Sequence, residues 1–114
     1  MSDPMKPLTP PAWCGMPEGM SLELTCYKDK VKVETVAVKT ACFTFGKVQS
    51  LVDYLLEHPS ISRRHAALMI NKDNGKVYLT DLKSSHGVKI NGKRITPERP
   101  TSVGNGEIRF GAST

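Results

Sequence analysis

Residues 81–94, DLKSSHGVKINGKR, decide the fold of this 114-residue chain. Asn91-Gly92 separates VKI from KRI, and this pair most easily adopts the two positive φ angles of a type I′ turn. A two-residue turn of that type joins neighbouring antiparallel strands. The stretch therefore predicts a β-hairpin preceded by the polar loop DLKSSHG.

Short strands and turns continue on both sides of this hairpin. HAALMIN and KVYLTDL, joined by KDNG, predict a second hairpin, and GEIRFGAS after Asn105-Gly106 predicts a last strand. Upstream, SLELTCY and VKVETVAVK alternate apolar and polar residues, with a slip near Glu34 that is typical of a β-bulge. ACFTFG and the second half of VDYLLEH predict two more strands. Eight to ten short strands without helical periodicity predict an all-β sandwich.

The length of the chain suits one domain preceded by an N-terminal extension. Residues 1–18 contain five of the eight prolines, which predicts a flexible Pro-rich arm before a domain at residues 19–114. Trp13 is the exception in this arm, because a lone tryptophan is expected to pack onto the domain that follows it.

Three cysteines, Cys14, Cys26 and Cys42, form no C-x-x-C pair and have no histidine cluster at metal-ligand spacing. We therefore expect reduced thiols, no metal site and no cofactor. The start of the chain has no apolar core typical of a secretion signal, and no run reaches 18 apolar residues. These features predict an intracellular protein that does not contact a membrane.

Positive charge is concentrated in one part of the chain. Residues 47–94 contain nine Lys and Arg against four acidic residues, which accounts for the whole formal net charge of +5. Such a field favours an anionic partner, whereas the alternative is a solvated basic face without function.

Three kinds of chemistry fit the polar segments HPSISRRHAAL and LTDLKSSHGVKI. Ser62, His65 and Asp81 are the residue types of a hydrolase triad, but no G-x-S-x-G nucleophile elbow is present. Structural roles for these three residues, in a protein that is not an enzyme, are therefore favoured.

Nucleic-acid binding is the second hypothesis, and it would use the excess of basic residues. Aromatic residues make up only 6% of the chain, and Tyr78 is the sole aromatic residue between Arg63 and Arg94.

Capture of a phosphate is the third hypothesis and the one that the residue types favour. It requires hydroxyl, backbone and cationic donors that converge without a competing carboxylate. The two segments and the preceding strand supply such donors, namely Lys47, Ser62, Arg63, Ser84, Ser85, His86 and Gly87.

The ordered series of these residues resembles the signature of the forkhead-associated (FHA) domain. The matching segments are Gly46-Lys47, Ser62-Arg63-Arg64-His65, Asp81 to Val88 in DLKSSHGV, and Asn91-Gly92. The resemblance implies a β-sandwich of two twisted, mainly antiparallel sheets that binds phosphothreonine peptides in partner proteins. A phospho-independent protein-binding module and a nucleic-acid-binding module remain the alternatives.

The resemblance also implies roles for single residues. Lys47, Ser62, Arg63 and Ser85 would contact the phosphate, and His86 would hold the peptide backbone. Ser60 and Lys83 are candidates for contacts with flanking peptide residues. The architectural positions of the family correspond to Gly46, His65, Gly87, Asn91 and Gly92.

Four features depart from the family pattern. Lys47 replaces an arginine, Ser85 and Val88 replace threonines, and relatives continue beyond Thr114 into one more strand. Two alternatives follow: this stretch is part of a longer chain, or the sandwich lacks its last strand. The PPAW lead-in, His86 and the ending RFGAST resemble a nuclear, phosphatase-regulatory branch of the family. That likeness implies a nuclear setting, with the cytoplasm as the alternative, and a splicing factor or phosphatase complex as partner. We expect a monomer.

Overall fold

The computed structural model describes residues 10–28, 30–104 and 106–111 of the chain. Ten strands lie within these residues, with a single 3-10 turn at Gln49–Leu51. The strands are β1 (Leu22–Lys28), β2 (Val31–Val38), β3 (Cys42–Gly46), β4 (Tyr54–Leu55), β5 (Ala66–Ile70), β6 (Val77–Asp81), β7 (Val88–Ile90), β8 (Lys93–Arg94), β9 (Thr101–Ser102) and β10 (Ile108–Phe110).

Hydrogen bonds group the described strands into three sheets. The large sheet has the order β4-β3-β5-β6-β9, a smaller sheet has the order β10-β7-β8, and β1 pairs with β2. Every pairing is antiparallel except that of β3 with β4. The prediction of an all-β, mainly antiparallel fold is therefore confirmed, and the described strands form three hydrogen-bonded sheets where two were expected.

The core lies between the large sheet and the two smaller sheets. Phe43, Phe45 and Leu68 bring side chains from the large sheet, and they share one buried cluster with Val38 of β2 and Val88 of β7. Leu22 and Leu24 of β1 pack against the same cluster. Both smaller sheets thus cover one apolar face of the large sheet, which is the arrangement of a sandwich.

The turns that the sequence predicted are present. Asn91 and Gly92 have φ angles of 52° and 82°, and Ile90 pairs with Lys93, as a two-residue hairpin turn requires. In β1 and β2 the register shifts between Cys26 and Tyr27, so the bulge near Glu34 is confirmed. Asn105 lies outside the described residues.

One strand differs from its sequence prediction. The run VDYLLEH forms a strand at Tyr54–Leu55, in the middle of the run rather than in its second half, because only these two residues lie beside the end of β3. Burial raises the pKa of Tyr54, and its side-chain hydrogen bonds to Cys26 and Glu34 raise it further. Tyr54 therefore links the edge of the large sheet to the β1–β2 hairpin.

The described end of the N-terminal segment lies against the large sheet. The N–H of Gly15 donates to Ile70 at 2.9 Å, and Lys72 donates to the carbonyl of Trp13 at 2.9 Å. The Trp13 ring meets Tyr78 edge-on at 5.5 Å between centroids, so the expected packing of Trp13 on the domain is confirmed. A domain boundary at residue 18 stays a prediction, but residues 13–15 are held on the sheet.

The three cysteines are free thiols. Burial, together with nearby Cys14 and Asp53, raises the pKa of the Cys42 thiol to about 11. Cys42 is therefore almost entirely protonated at neutral pH. Among residues 10–28, 30–104 and 106–111, no helix has the length and apolar character needed to cross a membrane.

Candidate functional site

Strand register brings three loops together at one end of the large sheet. Phe45 near the end of β3 pairs with Ala66 at the start of β5, and Ala66 pairs with Asp81 at the end of β6. The segments that follow β3, precede β5 and follow β6 must therefore emerge side by side. These three loops contain all five residues expected to bind a phosphopeptide.

Gly46 allows the first two loops to touch. A Cβ on Gly46 would overlap the carbonyl oxygen of Arg63 and lie 2.8 Å from Val52. The close approach lets the N–H of Lys47 donate to the carbonyl of Ser62 at 3.2 Å. Lys47 and Arg63 both have exposed side chains, so the two residues whose backbones adjoin Ser62 carry positive charge.

The second and third loops meet at Ser62 and Ser85. The backbone N–H of Ser85 donates to the Ser62 hydroxyl oxygen at 3.0 Å. Because this bond uses an acceptor site of Ser62, the hydroxyl hydrogen of Ser62 remains available as a donor. Ser85 and the following His86 are both exposed, so the residues at this loop contact carry two hydroxyl groups and an imidazole.

His65 fixes the relative position of these loops from inside the protein. Its Nδ1 accepts the N–H of Ser62 at 3.1 Å, so the ring proton lies on Nε2, which is 2.8 Å from the carbonyl oxygen of Gly87. His65 is fully buried, and burial lowers its pKa, while the Gly87 carbonyl and Asp81 oppose this shift. A neutral ring of defined tautomer thus joins both loops.

Asp81, a candidate for the hydrolase triad in the sequence, and Ser84, a candidate phosphate donor, instead brace the third loop from inside. Asp81 Oδ1 accepts the N–H of Ser84 at 2.9 Å, and the Ser84 hydroxyl oxygen accepts the N–H of Gly87 at 3.0 Å. Both residues are buried. The spacing of Asp81 and Ser84 was a usable signal, since an Asp side chain commonly caps backbone N–H groups a few residues later.

The backbone conformation at Gly87 favours glycine. Its φ is +80°, a value that other residues rarely adopt, and a Cβ there would lie 2.6 Å from Nε of Arg94. The Arg94 side chain thus covers the backbone of Gly87. Sequence reasoning had given Arg94 no role beyond its charge.

The two residues expected to contact flanking peptide positions lie in different environments. Lys83 is exposed and forms a surface ion pair with Glu98 at 3.7 Å. Ser60 is buried, and its hydroxyl lies 2.7 Å from Nδ1 of His58. Burial argues against a peptide contact for Ser60, whose side chain instead belongs to the interior of its loop.

The geometry contradicts a hydrolase triad of Ser62, His65 and Asp81. His65 Nδ1 bonds the backbone of Ser62, not its hydroxyl, and Nε2 faces Gly87. Neither ring nitrogen can take a proton from the Ser62 hydroxyl in this arrangement. Within the described part of the chain, no group of three or more His, Cys, Asp or Glu is placed to hold a metal ion.

Sequence comparison finds matching proteins and a family model. The FHA domain model matches residues 43–111. A protein phosphatase 1 regulatory inhibitor subunit homolog of Arabidopsis thaliana is 33% identical over 106 residues, which cover 92% of this chain and 28% of that protein. The nuclear inhibitor of protein phosphatase 1 of Homo sapiens is 34% identical, covering 91% of this chain and 30% of that protein.

The fold has a matching solved structure. The solution structure of the FHA domain of TbPar42 has a TM-score of 0.72 and 34% identity, and the match covers 91% of this chain and 58% of that chain. This chain spans about 30% of the length of each of the two phosphatase-regulatory relatives described above. Since the family model matches more than half of the residues, and since fold and sequence agree, the chain belongs to the FHA domain family.

Proposed function

We propose that this chain binds phosphothreonine peptides of partner proteins and catalyses no reaction. FHA domains are phosphothreonine-binding interaction modules. The observation that carries the proposal for this chain is the hydrogen bond from the Ser85 N–H to the Ser62 hydroxyl oxygen, which brings donors from two loops together.

The chemistry of the three loops suits a phosphate. A phosphothreonine carries about −1.5 to −2 charge at neutral pH and presents strong acceptor oxygens. Ser62 and Ser85 offer hydroxyl hydrogens, and Arg63 and Lys47 offer positive charge from exposed side chains. No acidic residue lies within the segments 46–48, 60–65 and 82–87 that supply these donors.

The donors are also held in place before a ligand arrives. His65 joins the Ser62 loop to Gly87, and Asp81 and Ser84 brace the loop that carries Ser85. A preformed site reduces the ordering penalty of binding, although the peptide itself must still become ordered. We therefore expect a reversible interaction of modest affinity, in which His86 contacts the peptide backbone and Lys83 contacts a flanking residue.

The names of the relatives suggest a cellular setting. The nuclear inhibitor of protein phosphatase 1 is a nuclear phosphatase regulator by name. We infer that this chain acts as a monomer in the nucleus, in phosphatase-regulatory or splicing assemblies. Affinity purification with the Arg63→Ala variant as control tests this setting, because the true partners must be lost with the variant.

Fluorescence anisotropy with one labelled peptide in pThr, pSer and unphosphorylated forms tests the proposed function. Wild type should bind the pThr form best, and Arg63→Ala should lose binding while Arg99→Ala, another exposed arginine, should not. Equal binding of all three forms would favour a phospho-independent module. Stronger binding of an oligonucleotide would favour the basic-surface alternative.

A further inference from the structure

A row of three cations crosses the outer face of the small sheet β10-β7-β8. Arg109 of β10 pairs with Lys89 of β7, and Lys89 pairs with Arg94 of β8. Val88 and Ile90, the neighbours of Lys89, are buried in the core. Because side chains alternate along a strand, Lys89 and its two partners point away from the core. We call Arg109, Lys89 and Arg94 the cationic row.

The cationic row is unfavourable for the isolated fold. Like charges at directly opposite positions of a sheet repel each other and are destabilising. An acidic side chain does lie near the row: the Glu107 carboxylate is 3.9 Å from the Arg109 guanidinium, and both side chains are more than half exposed. Water screens such a pair strongly, so Glu107 offsets little of the repulsion. A negatively charged ligand would relieve it.

The row is continuous with the candidate phosphate site. The guanidinium group of Arg94 lies over Gly87, close to where a Cβ would stand, and Gly87 directly follows Ser85 and His86. Lys89 lies two residues further along the chain, about 7 Å away at the rise of a strand. A peptide that leaves the phosphate site over Gly87 would meet Arg94 first, then Lys89 and Arg109.

We propose that the cationic row binds an acidic segment of the same peptide whose phosphothreonine occupies the loops. This inference rests on the proposed function and specifies its substrate class as phosphothreonine peptides with an acidic flank on one side. The row lies on one side of the phosphate site, so only one polarity of peptide can use it. An acidic block about three to six residues from the phosphothreonine matches the spacing of an extended chain.

Three phosphothreonine peptides of equal length test the proposal by fluorescence anisotropy. One has neutral flanks, one carries four glutamates on the N-terminal side, and one carries them on the C-terminal side. One of the two acidic peptides should bind wild type about tenfold more tightly than the neutral one, as expected for several exposed ion pairs. The gain should shrink as salt rises from about 50 to 500 mM, because exposed charges are screened.

Charge-removing variants locate the effect. Lys89→Gln with Arg109→Gln should abolish the gain from the acidic flank and leave binding of the neutral phosphothreonine peptide almost unchanged. The control is Lys72→Gln with Lys76→Gln, which removes the same charge in the β5–β6 turn, at the end of β5 away from Ser62. The row variant should unfold at the same or a higher temperature than wild type, since repulsion is removed.

Several results would overturn the proposal. One is an equal gain in affinity for both acidic peptides over the neutral peptide. Another is a gain in affinity that persists in the Lys89→Gln, Arg109→Gln variant. A third is a gain that is lost to the same extent in the Lys72→Gln, Lys76→Gln control. If the row variant binds all three peptides as wild type does but binds single-stranded RNA more weakly, the cationic row would be assigned to nucleic acid instead. If wild type fails to bind even the neutral phosphothreonine peptide, the proposed function falls and this inference falls with it. Binding of the neutral peptide without any acidic gain would remove this inference alone.

Discussion

The Nε2 of His65 donates a hydrogen bond to the carbonyl oxygen of Gly87 across 22 residues of sequence, at 2.8 Å. The same ring receives the N–H of Ser62 at Nδ1, so one buried neutral side chain sets the distance between two candidate phosphate-binding loops. Protonation of the ring would remove the acceptor that Ser62 needs. The geometry of the site therefore depends on a neutral His65 ring.

Stability should fall in acid because of this ring. Burial lowers the pKa of His65 from its ordinary 6.5, so the unfolded chain binds a proton at a higher pH than the folded protein does. The stabilisation that the neutral His65 ring contributes is fully present above pH 6.5, its ordinary pKa. It is lost as the pH falls from 6.5 toward the lower pKa of the ring in the folded protein. Urea midpoints at several pH values between 8 and 5, for wild type and His65→Gln, measure this. Wild type should lose more stability than the variant over this window; parallel curves would show that His65 is not the group responsible.

The two serines at the loop contact should differ in importance. Ser62→Ala removes a phosphate donor and also the acceptor for the Ser85 N–H, whereas Ser85→Ala removes a hydroxyl alone. We expect Ser62→Ala to weaken phosphothreonine binding by about tenfold or more and Ser85→Ala by less, in line with about 1.5–3 kcal/mol for a charge-assisted bond. Isothermal titration calorimetry measures both, with Ser50→Ala as the exposed control. The opposite ranking would argue against a shared role of Ser62 in loop contact and binding.

Gly46→Ala should destabilise the fold. The added methyl would overlap the Arg63 carbonyl, which is backbone and is held by the N–H of Val48 at 3.4 Å. Overpacking of this kind costs about 1–3 kcal/mol of unfolding free energy. Denaturant unfolding of Gly46→Ala beside Ser50→Ala, a substitution in the same connection, gives the comparison. A Gly46 variant as stable as wild type would mean that the two loops can separate without penalty.

Lys47→Arg should strengthen peptide binding. The lysine is a point charge on a flexible stem, while a guanidinium forms a rigid fork that matches two phosphate oxygens. We expect an affinity gain of about threefold to tenfold for the phosphothreonine peptide, because charge-assisted bidentate pairs are the stronger ones. Lys39→Arg, at another exposed position, is the control and should change nothing. An unchanged or lower affinity would place the phosphate out of reach of residue 47.

Local signals explain why much of the fold could be predicted from the sequence. The Asn91-Gly92 turn, the β5–β6 hairpin and the bulge near Glu34 depend on residues close in the chain. The two-residue strands β4 and β9 have too few residues for a periodic pattern, so β4 was misplaced and β9 was not identified. Their pairing depends on where β3 and β6 happen to end.

The candidate site was predictable in its members but not in its contacts. The motif series identified Ser62, Arg63 and Ser85, and strand register explains why they meet. The burial of Ser60 and the position of Arg94 over Gly87 could not be predicted, because both result from contacts between segments far apart in sequence. Ser60, which the sequence suggested as a peptide contact, is therefore interpreted as a residue of the loop interior.

The most direct test of the central claim is a two-dimensional NMR titration of the 15N-labelled domain with matched pThr, pSer and unphosphorylated peptides. The account predicts that pThr shifts the amide signals of Lys47, Ser62, Arg63, Ser85 and His86 together, and that the control signals of the β5–β6 turn at Lys72 and Lys76 stay in place. The pSer form should give weaker shifts, and the unphosphorylated form none. Shifts that lie outside these three loops, or that are equal for all three peptides, would contradict a phosphothreonine site at this end of the sheet.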